Sequence, residues 1–213
     1  MPTSATIPKH ASTASRVLET LHVQSRSCTA CPLWRNATQT VFGEGAAHAS
    51  IVLVGEQPGD AEDLAGRPFV GPAGRLLDRA LNDAGLDRAT LYVTNAVKHF
   101  KWEPRGKRRL HKTPAQREIE ACRRWLDAEL AAINPALVIC LGATATRALL
   151  GAAATITKLR GKVVSRERGP ALLVTTHPSA VLRVPPAERE RAYAALVADL
   201  RVAANHTTAA RQT

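Results

Sequence analysis

Residues 51–74 read IVLVGEQPGDAEDLAGRPFVGPAG. The first four, Ile51-Val52-Leu53-Val54, form a short, β-branched apolar run, which is the signature of a buried strand. Positions 55–74 then hold five glycines and three prolines. That density predicts a long loop with no regular structure. The pattern turns helical at once afterwards, with Leu76, Leu77, Ala80 and Leu81 on one face. Strand, loop and helix in this order open a parallel sheet. Such sheets build their sites where strands empty into loops. This loop carries Glu56, Gln57, Asp60, Glu62, Asp63 and one aromatic, Phe69, held between Pro68 and Val70-Gly71. A ring fixed over a glycine-lined slot suits a planar ligand such as a nucleobase. Core packing is the plain alternative for Phe69, and a solvated surface loop the plain alternative for the segment.

The alternation continues down the chain. Strands are expected near 50–54, 91–95, 136–141, 162–165 and 171–175. Helices are expected near 73–85, 114–133, 143–150 and 187–204, with a first helix around Val17–Val23. Thr113-Pro114-Ala115-Gln116 has the form of a capping box with proline at the first helical position. The expected fold is α/β, a three-layer α/β/α sandwich with a mostly parallel central sheet of about four strands. One domain is expected over 14–204, between disordered segments at 1–13 and 205–213. All strand C-termini of a parallel sheet face one edge. Glu56, Gln57, Asn95 and His177, at the ends of three apolar runs, should gather there.

Composition narrows the partner. The chain has 213 residues, 45% hydrophobic and 4% aromatic, with a net charge of +11 and a pI near 10.3. A protein so basic favours an anionic partner, nucleic acid first. Between Lys98 and Lys112 stand seven cations (Lys98, Lys101, Arg105, Lys107, Arg108, Arg109, Lys112) against one acid, Glu103, with His99, Trp102 and His111 interleaved. That reads as a phosphate-tracking loop, with a solvated charge run as the alternative. The polar start MPTSATIPKHASTAS lacks the apolar core of a signal peptide. No run approaches the ~20 apolar residues of a membrane span. A cytoplasmic monomer without disulfides is expected.

The four cysteines are Cys28, Cys31, Cys122 and Cys140. Cys28-x-x-Cys31 gives two thiolates the bite for one metal centre. Four thiolates suit either tetrahedral zinc or a [4Fe–4S] cluster, and spacing alone does not separate the two. Buried free thiols are the rival reading.

Two segments carry a family resemblance. GEQPG, then ED, then GRPFVGPAGRLLD over 55–78 resembles the first motif of the family 4, iron–sulfur uracil-DNA glycosylases. His177-Pro178-Ser179-Ala180-Val181-Leu182-Arg183 resembles their second, HPSxxxR. The resemblance spans roughly residues 28–183. It implies a [4Fe–4S] cluster on Cys28, Cys31, Cys122 and Cys140, with a structural role. It implies uracil-containing DNA as substrate, single-stranded or with the base flipped out. Phe69 would stack on the base. The Asn95 carboxamide would pair with uracil O4 and N3–H, whose donor–acceptor order cytosine reverses; a turn Asn is the alternative. His177 would donate to O2 as charge moves onto the departing base. Gly55, Gln57, Asp60 and Arg183 complete the expected substrate contacts, and Glu56 would stabilise the oxocarbenium-like sugar or position water.

The basic extension Arg105-Gly106-Lys107-Arg108-Arg109-Leu110-His111-Lys112 departs from that family. KRRLH together with Gln57 resembles the UdgX branch, in which a loop histidine bonds to the sugar after uracil leaves. The resemblance makes His111 the nucleophile, bonding to C1′ of the abasic deoxyribose. Glu56 would orient its ring, and Lys107, Arg108, Arg109 and Lys112 would hold DNA. An imidazole is mostly uncharged at neutral pH and keeps a lone pair, and held near C1′ it would outcompete water by proximity. Three readings result: a uracil-DNA glycosylase that traps itself, a turning-over family 4 enzyme in which His111 only steers DNA, and a non-catalytic nucleic-acid-binding protein with a structural metal. A Schiff base through Lys107 or Lys112 is a minor rival. The expected setting is a bacterial cytoplasm, at the nucleoid.

Overall fold

The computed structural model describes residues 12–209. In chain order the elements are α1 (Thr13–Ser25), β1 (Glu44–Gly45), β2 (Ile51–Gly55), α2 (Asp60–Ala65), α3 (Pro72–Asp83), β3 (Tyr92–Asn95), β4 (Trp102–Arg105) and β5 (Arg108–His111). They continue with α4 (Gln116–Ile133), β6 (Leu137–Leu141), α5 (Ala143–Leu150), α6 (Ile156–Leu159), β7 (Val163–Val164), β8 (Ala171–Thr175), α7 (Pro178–Arg183) and α8 (Pro186–Ala209). The main sheet has six strands in the order β1-β3-β2-β6-β8-β7. Its four inner strands, β3, β2, β6 and β8, are parallel. β1 and β7 pair antiparallel at the two edges. Four of the expected strands, 50–54, 91–95, 136–141 and 171–175, are therefore the parallel core, in line with the expected sheet of about four strands. The strand expected near 162–165 is the edge strand β7, while the other edge, β1, is not among the expected strands; it holds two residues, too few for a period-2 pattern to register.

Alternation sorts the core into two layers. Val52, Val54, Val138, Cys140, Leu172 and Val174 pack on one face with Leu18 of α1, Ile119, Trp125 and Leu126 of α4, and Ala145 of α5. Ile51, Leu53, Leu137, Ile139, Leu141 and Leu173 pack on the other with Leu76 and Leu77 of α3, Val181 of α7, and Leu196 and Leu200 of α8. Every residue of β2, β3 and β6 is buried, as a sheet covered on both faces requires. After β3 the chain crosses to the far side of β2 to form β6. The strand order reverses beside β2, the place where a doubly wound sheet opens a crevice.

Four sequence expectations change. The segment 55–74 contains regular structure, since α2 forms within it. The reason is Glu62: its carboxylate accepts from Gly59 N–H (3.1 Å) and from Gly71 N–H (2.8 Å), capping α2 and closing the segment's far end. The basic run is an antiparallel hairpin, β4 with β5, turning at Gly106 with φ +58° and pairing Trp102 with His111. Helix α4 starts at Gln116, two residues later than expected. Its end is closed by the Glu118 carboxylate accepting from Ala115 N–H at 2.6 Å. At the chain's end α8 runs to Ala209, into the segment 205–213 expected to be disordered. Of the segment 1–13, residues 1–11 lie outside the described residues, and Ser12 caps α1 by accepting from Ser15 N–H. Among the described residues no helix is long and apolar enough to cross a membrane.

Candidate active site

The crevice beside β2 is a cavity of about 570 Å³. Its lining includes Glu56 and Gln57 after β2, Phe69 before α3, Asn95 ending β3, His111 ending β5, and His177 and Arg183 of the segment after β8. The strand-end residues meet at one edge, joined by the hairpin's last residue.

The slot for a flat ligand is built by close approach. A side chain at Gly55 would collide with Asn95 Oδ1 and Phe69 Cζ. A side chain at Gly74 would collide with the Phe69 main chain. Phe69 itself has φ +57°, a left-handed conformation that is strained for a bulky residue and is kept where surroundings over-determine it. Its ring lies 6.1 Å from that of His177, at 28° between planes. Asn95 is buried, and its carboxamide has no protein partner among the described residues.

His177 has its tautomer set locally. Its Nδ1 accepts from Ser179 N–H at 3.1 Å and meets Ser179 Oγ at 2.8 Å. The ring proton is thereby assigned to Nε2. Burial depresses the imidazole's pKa to about 4, with Arg183 and His111 adding to the effect and Glu56 opposing it. The ring is thus a neutral N–H donor at neutral pH, the form that can stabilise developing negative charge without a proton of its own to lose.

Glu56 sits between two partners. Its Oε2 accepts from Thr144 Oγ1 at 2.5 Å, and its Oε1 lies 3.1 Å from His111 Nε2. Burial would raise the carboxyl, but the hydrogen bonds from His111 and Thr144 outweigh it and hold it below the usual range. Thr144, in the first turn of α5, went unnoticed in the sequence. Its only signal is a hydroxyl just past the strand ending at Leu141.

Several expected contacts take another form. The Gln57 carboxamide staples the hairpin's root: Nε2 donates to the carbonyls of Lys101 (3.2 Å) and Lys112 (3.0 Å), and Oε1 accepts from Lys101 N–H (3.1 Å). Asp60 is absent from the cavity lining and instead accepts from Arg109 Nε at 2.5 Å. Arg109 also donates to the buried Asp63 (2.6 Å) and to Thr38 Oγ1 (3.2 Å), and its guanidinium lies over Phe100 and Trp102. Arg109 therefore latches the hairpin to α2. Lys98 is fully buried, Lys101 pairs with Glu118, and Lys112 with Glu103. Of the seven cations, Arg105, Lys107 and Arg108 stay exposed without an ion pair among the described residues.

The cysteines divide three and one. Trp125 Nε1–H donates to Cys28 Sγ and Lys98 N–H to Cys122 Sγ, both at 3.2 Å. Such N–H···S contacts accompany sulfur ligands. Burial raises the Cys122 thiol to about 11, with Lys98 opposing and Cys31 and Cys28 adding to the rise. Cys140, inside β6, is raised to about 12 by burial, with Arg166 opposing the rise. Cys28 and Cys31 thus act on the Cys122 thiol, whereas Cys140 is governed chiefly by its own burial; all four lie in or against the same core layer. Among the described residues no three side chains are drawn tightly enough to hold a metal ion.

Comparison with known proteins gives consistent matches. Residues 42–201 match the family described as the uracil DNA glycosylase superfamily. The chain is similar to the type-4 uracil-DNA glycosylase of Thermotoga maritima, 41% identical over 80% of this chain and 86% of that protein. It is also similar to the proteins of that name from Pyrobaculum aerophilum (38% identical, over 79% and 86%) and Archaeoglobus fulgidus (39%, over 77% and 82%).

Proposed function

The chain belongs to the uracil DNA glycosylase superfamily, and from that premise we propose that it excises uracil from DNA and then bonds through His111 to C1′ of the remaining deoxyribose. Uracil excision is supported by the name its relatives share. The observation that carries the covalent step is the 3.1 Å approach of His111 to Glu56 at the cavity.

The uracil ring, extruded from the stack, would lie against Phe69 with its O4 and N3–H on the Asn95 carboxamide. The C1′–N1 electron pair leaves with uracil, and the neutral His177 Nε2–H donates to O2 as charge collects there. One such donor is typically worth ~3–4 kcal/mol to a transition state. The ionised Glu56 stabilises the cationic sugar and accepts the His111 ring proton. The imidazole lone pair then forms the new N–C1′ bond. An N-alkylated imidazole is a poor leaving group for water to displace, so the protein stays attached.

Cys28, Cys31 and Cys122 are proposed ligands of an iron–sulfur cluster whose fourth ligand is other than Cys140. Such a cluster would join the segment after α1 to α4, and no chemical step runs through it.

A turning-over enzyme releasing a free abasic site is the second reading, favoured by the relatives' name. Wild-type protein mixed with uracil-containing single-stranded DNA decides between them. A band shifted after heat and SDS is expected. A free abasic product with no shifted band would establish ordinary turnover, and intact DNA would exclude both.

A further inference from the structure

Lys98 and Glu129 have no solvent exposure, and their Nζ and Oε2 are 2.5 Å apart. The ammonium's other contacts are Thr94 Oγ1 at 2.6 Å and the Asn95 main-chain oxygen at 2.8 Å. Its three hydrogens therefore meet three acceptors. Glu129 Oε1 accepts from Gly43 N–H (2.9 Å), from Tyr92 OH (3.0 Å) and from Thr94 Oγ1 (3.1 Å). A buried pair of this kind is often less stabilising than apolar residues of equal volume, so stability alone does not account for it.

Its contacts point to a role in the cavity. Among the described residues the Asn95 carboxamide has no protein partner, so its aim is inherited from its main chain. That chain is paired with Gly55 and continued by Ala96 N–H to Gly55 O and Val97 N–H to Glu56 O. Lys98 holds the Asn95 carbonyl itself.

We propose that Lys98, with Glu129 as its counter-ion, is a positioning residue for base recognition, fixing the Asn95 peptide so that its carboxamide meets the pyrimidine edge. This rests on the proposed base-reading role of Asn95. The main-chain N–H of Lys98 also donates to Cys122 Sγ, so one residue joins the cysteine neighbourhood to the base-reading segment.

Two probes test this: free uracil as an inhibitor of single-turnover excision, and an oligonucleotide with a tetrahydrofuran abasic analogue, which offers Asn95 no base. In Lys98→Met/Glu129→Leu the inhibition constant for uracil should rise about tenfold, while affinity for the tetrahydrofuran DNA stays within about twofold. Parallel loss of both, or no change in either, overturns the proposal. If that variant does not fold, Thr94→Val removes the bridging hydroxyl alone. It should raise the uracil constant about threefold, and an unchanged constant overturns the proposal equally. Asn95→Ala separates the two assignments. If it leaves uracil inhibition intact, the base-reading role has failed and this proposal with it. If it weakens inhibition and the charge-pair variants do not, only the role of Lys98 has failed.

Discussion

His111 Nε2 stands 3.1 Å from Glu56 Oε1, yet the two residues are carried by different sheets, one just past a strand and one within a strand. Glu56 follows the central strand β2, while His111 ends a hairpin that shares no ladder with that strand. The pairing depends on side chains that dock the hairpin: Gln57 at its root, Arg109 on α2, and Trp102 Nε1–H donating to Asn36 O at 2.8 Å.

Replacing the imidazole should separate bond breaking from trapping. His111→Ala should lose the heat-stable adduct completely while still releasing uracil, slower by about 10- to 100-fold. His111→Ser, which leaves room and a hydroxyl for water, should recover part of the turnover. Gel shift and uracil release, followed on the same samples, check both. An undiminished adduct in either variant would remove His111 from the chemistry.

Arg109 should behave unlike its neighbours. Arg109→Ala leaves the Asp63 carboxylate buried without its charged partner, at a cost of about 2–4 kcal/mol. It should slow adduct formation by at least about tenfold more than uracil release, because the hairpin loses its latch. Arg109→Lys should rescue little, since an ammonium does not span both carboxylates. Lys107→Ala and Arg108→Ala should leave the adduct rate at saturating DNA unchanged and each reduce the salt-dependence slope of DNA binding by about 1. Melting curves, adduct kinetics and salt titrations distinguish these.

Stability should fall as the medium is acidified from about pH 6.5 to about pH 4. His177 is ordinary in the unfolded chain, near 6.5, and lowered to about 4 in the fold. Between those values the unfolded chain binds the extra proton, so stability rises with pH across the window and is lost on the way down. The full effect is at most about 3 kcal/mol. Glu56, held below its ordinary 4.5, contributes stability that is lost only under more acid conditions. Thermal melts at pH 7 and pH 5 should differ less in His177→Asn than in wild type; an equal difference would show that another group is responsible.

Iron content should follow the division of the cysteines. Cys28→Ser, Cys31→Ser and Cys122→Ser should each lose most bound iron and its visible absorbance. Cys140→Ala should keep both and lose about 1 kcal/mol or less from the core. Loss of iron in Cys140→Ala would restore the four-cysteine shell.

The fold was legible because its decisive strands are short, β-branched and buried on both faces, so Ile51–Val54, Leu137–Cys140 and Leu172–Val174 stand out against polar flanks. The cavity was legible for one topological reason: parallel strands deliver Glu56, Asn95 and His177 to the same edge. What escaped notice depends on partners distant in sequence. Glu62 bridges Gly59 and Gly71 and turns an apparent loop into α2. Gln57 lines the cavity, but its clasp on the hairpin is hidden until Lys101 and Lys112 are brought to it. Lys98 counts as a surface charge until Glu129, thirty-one positions on, folds over it. Cys140 lies inside β6 and packs in the same core layer as Cys122, a placement that a count of cysteines does not give.

Where the hairpin joins the body, Lys112 N–H donates to Lys101 O at 2.9 Å, so the two stems already touch. Whatever lies between them can be lengthened, shortened or exchanged without shifting any strand of the main sheet. The His111 ring thus rides on a detachable cassette. An ancestral scaffold could acquire it by a single in-frame insertion, and a protein engineer could transplant it into a relative that supplies the glutamine clasp and the two aspartates.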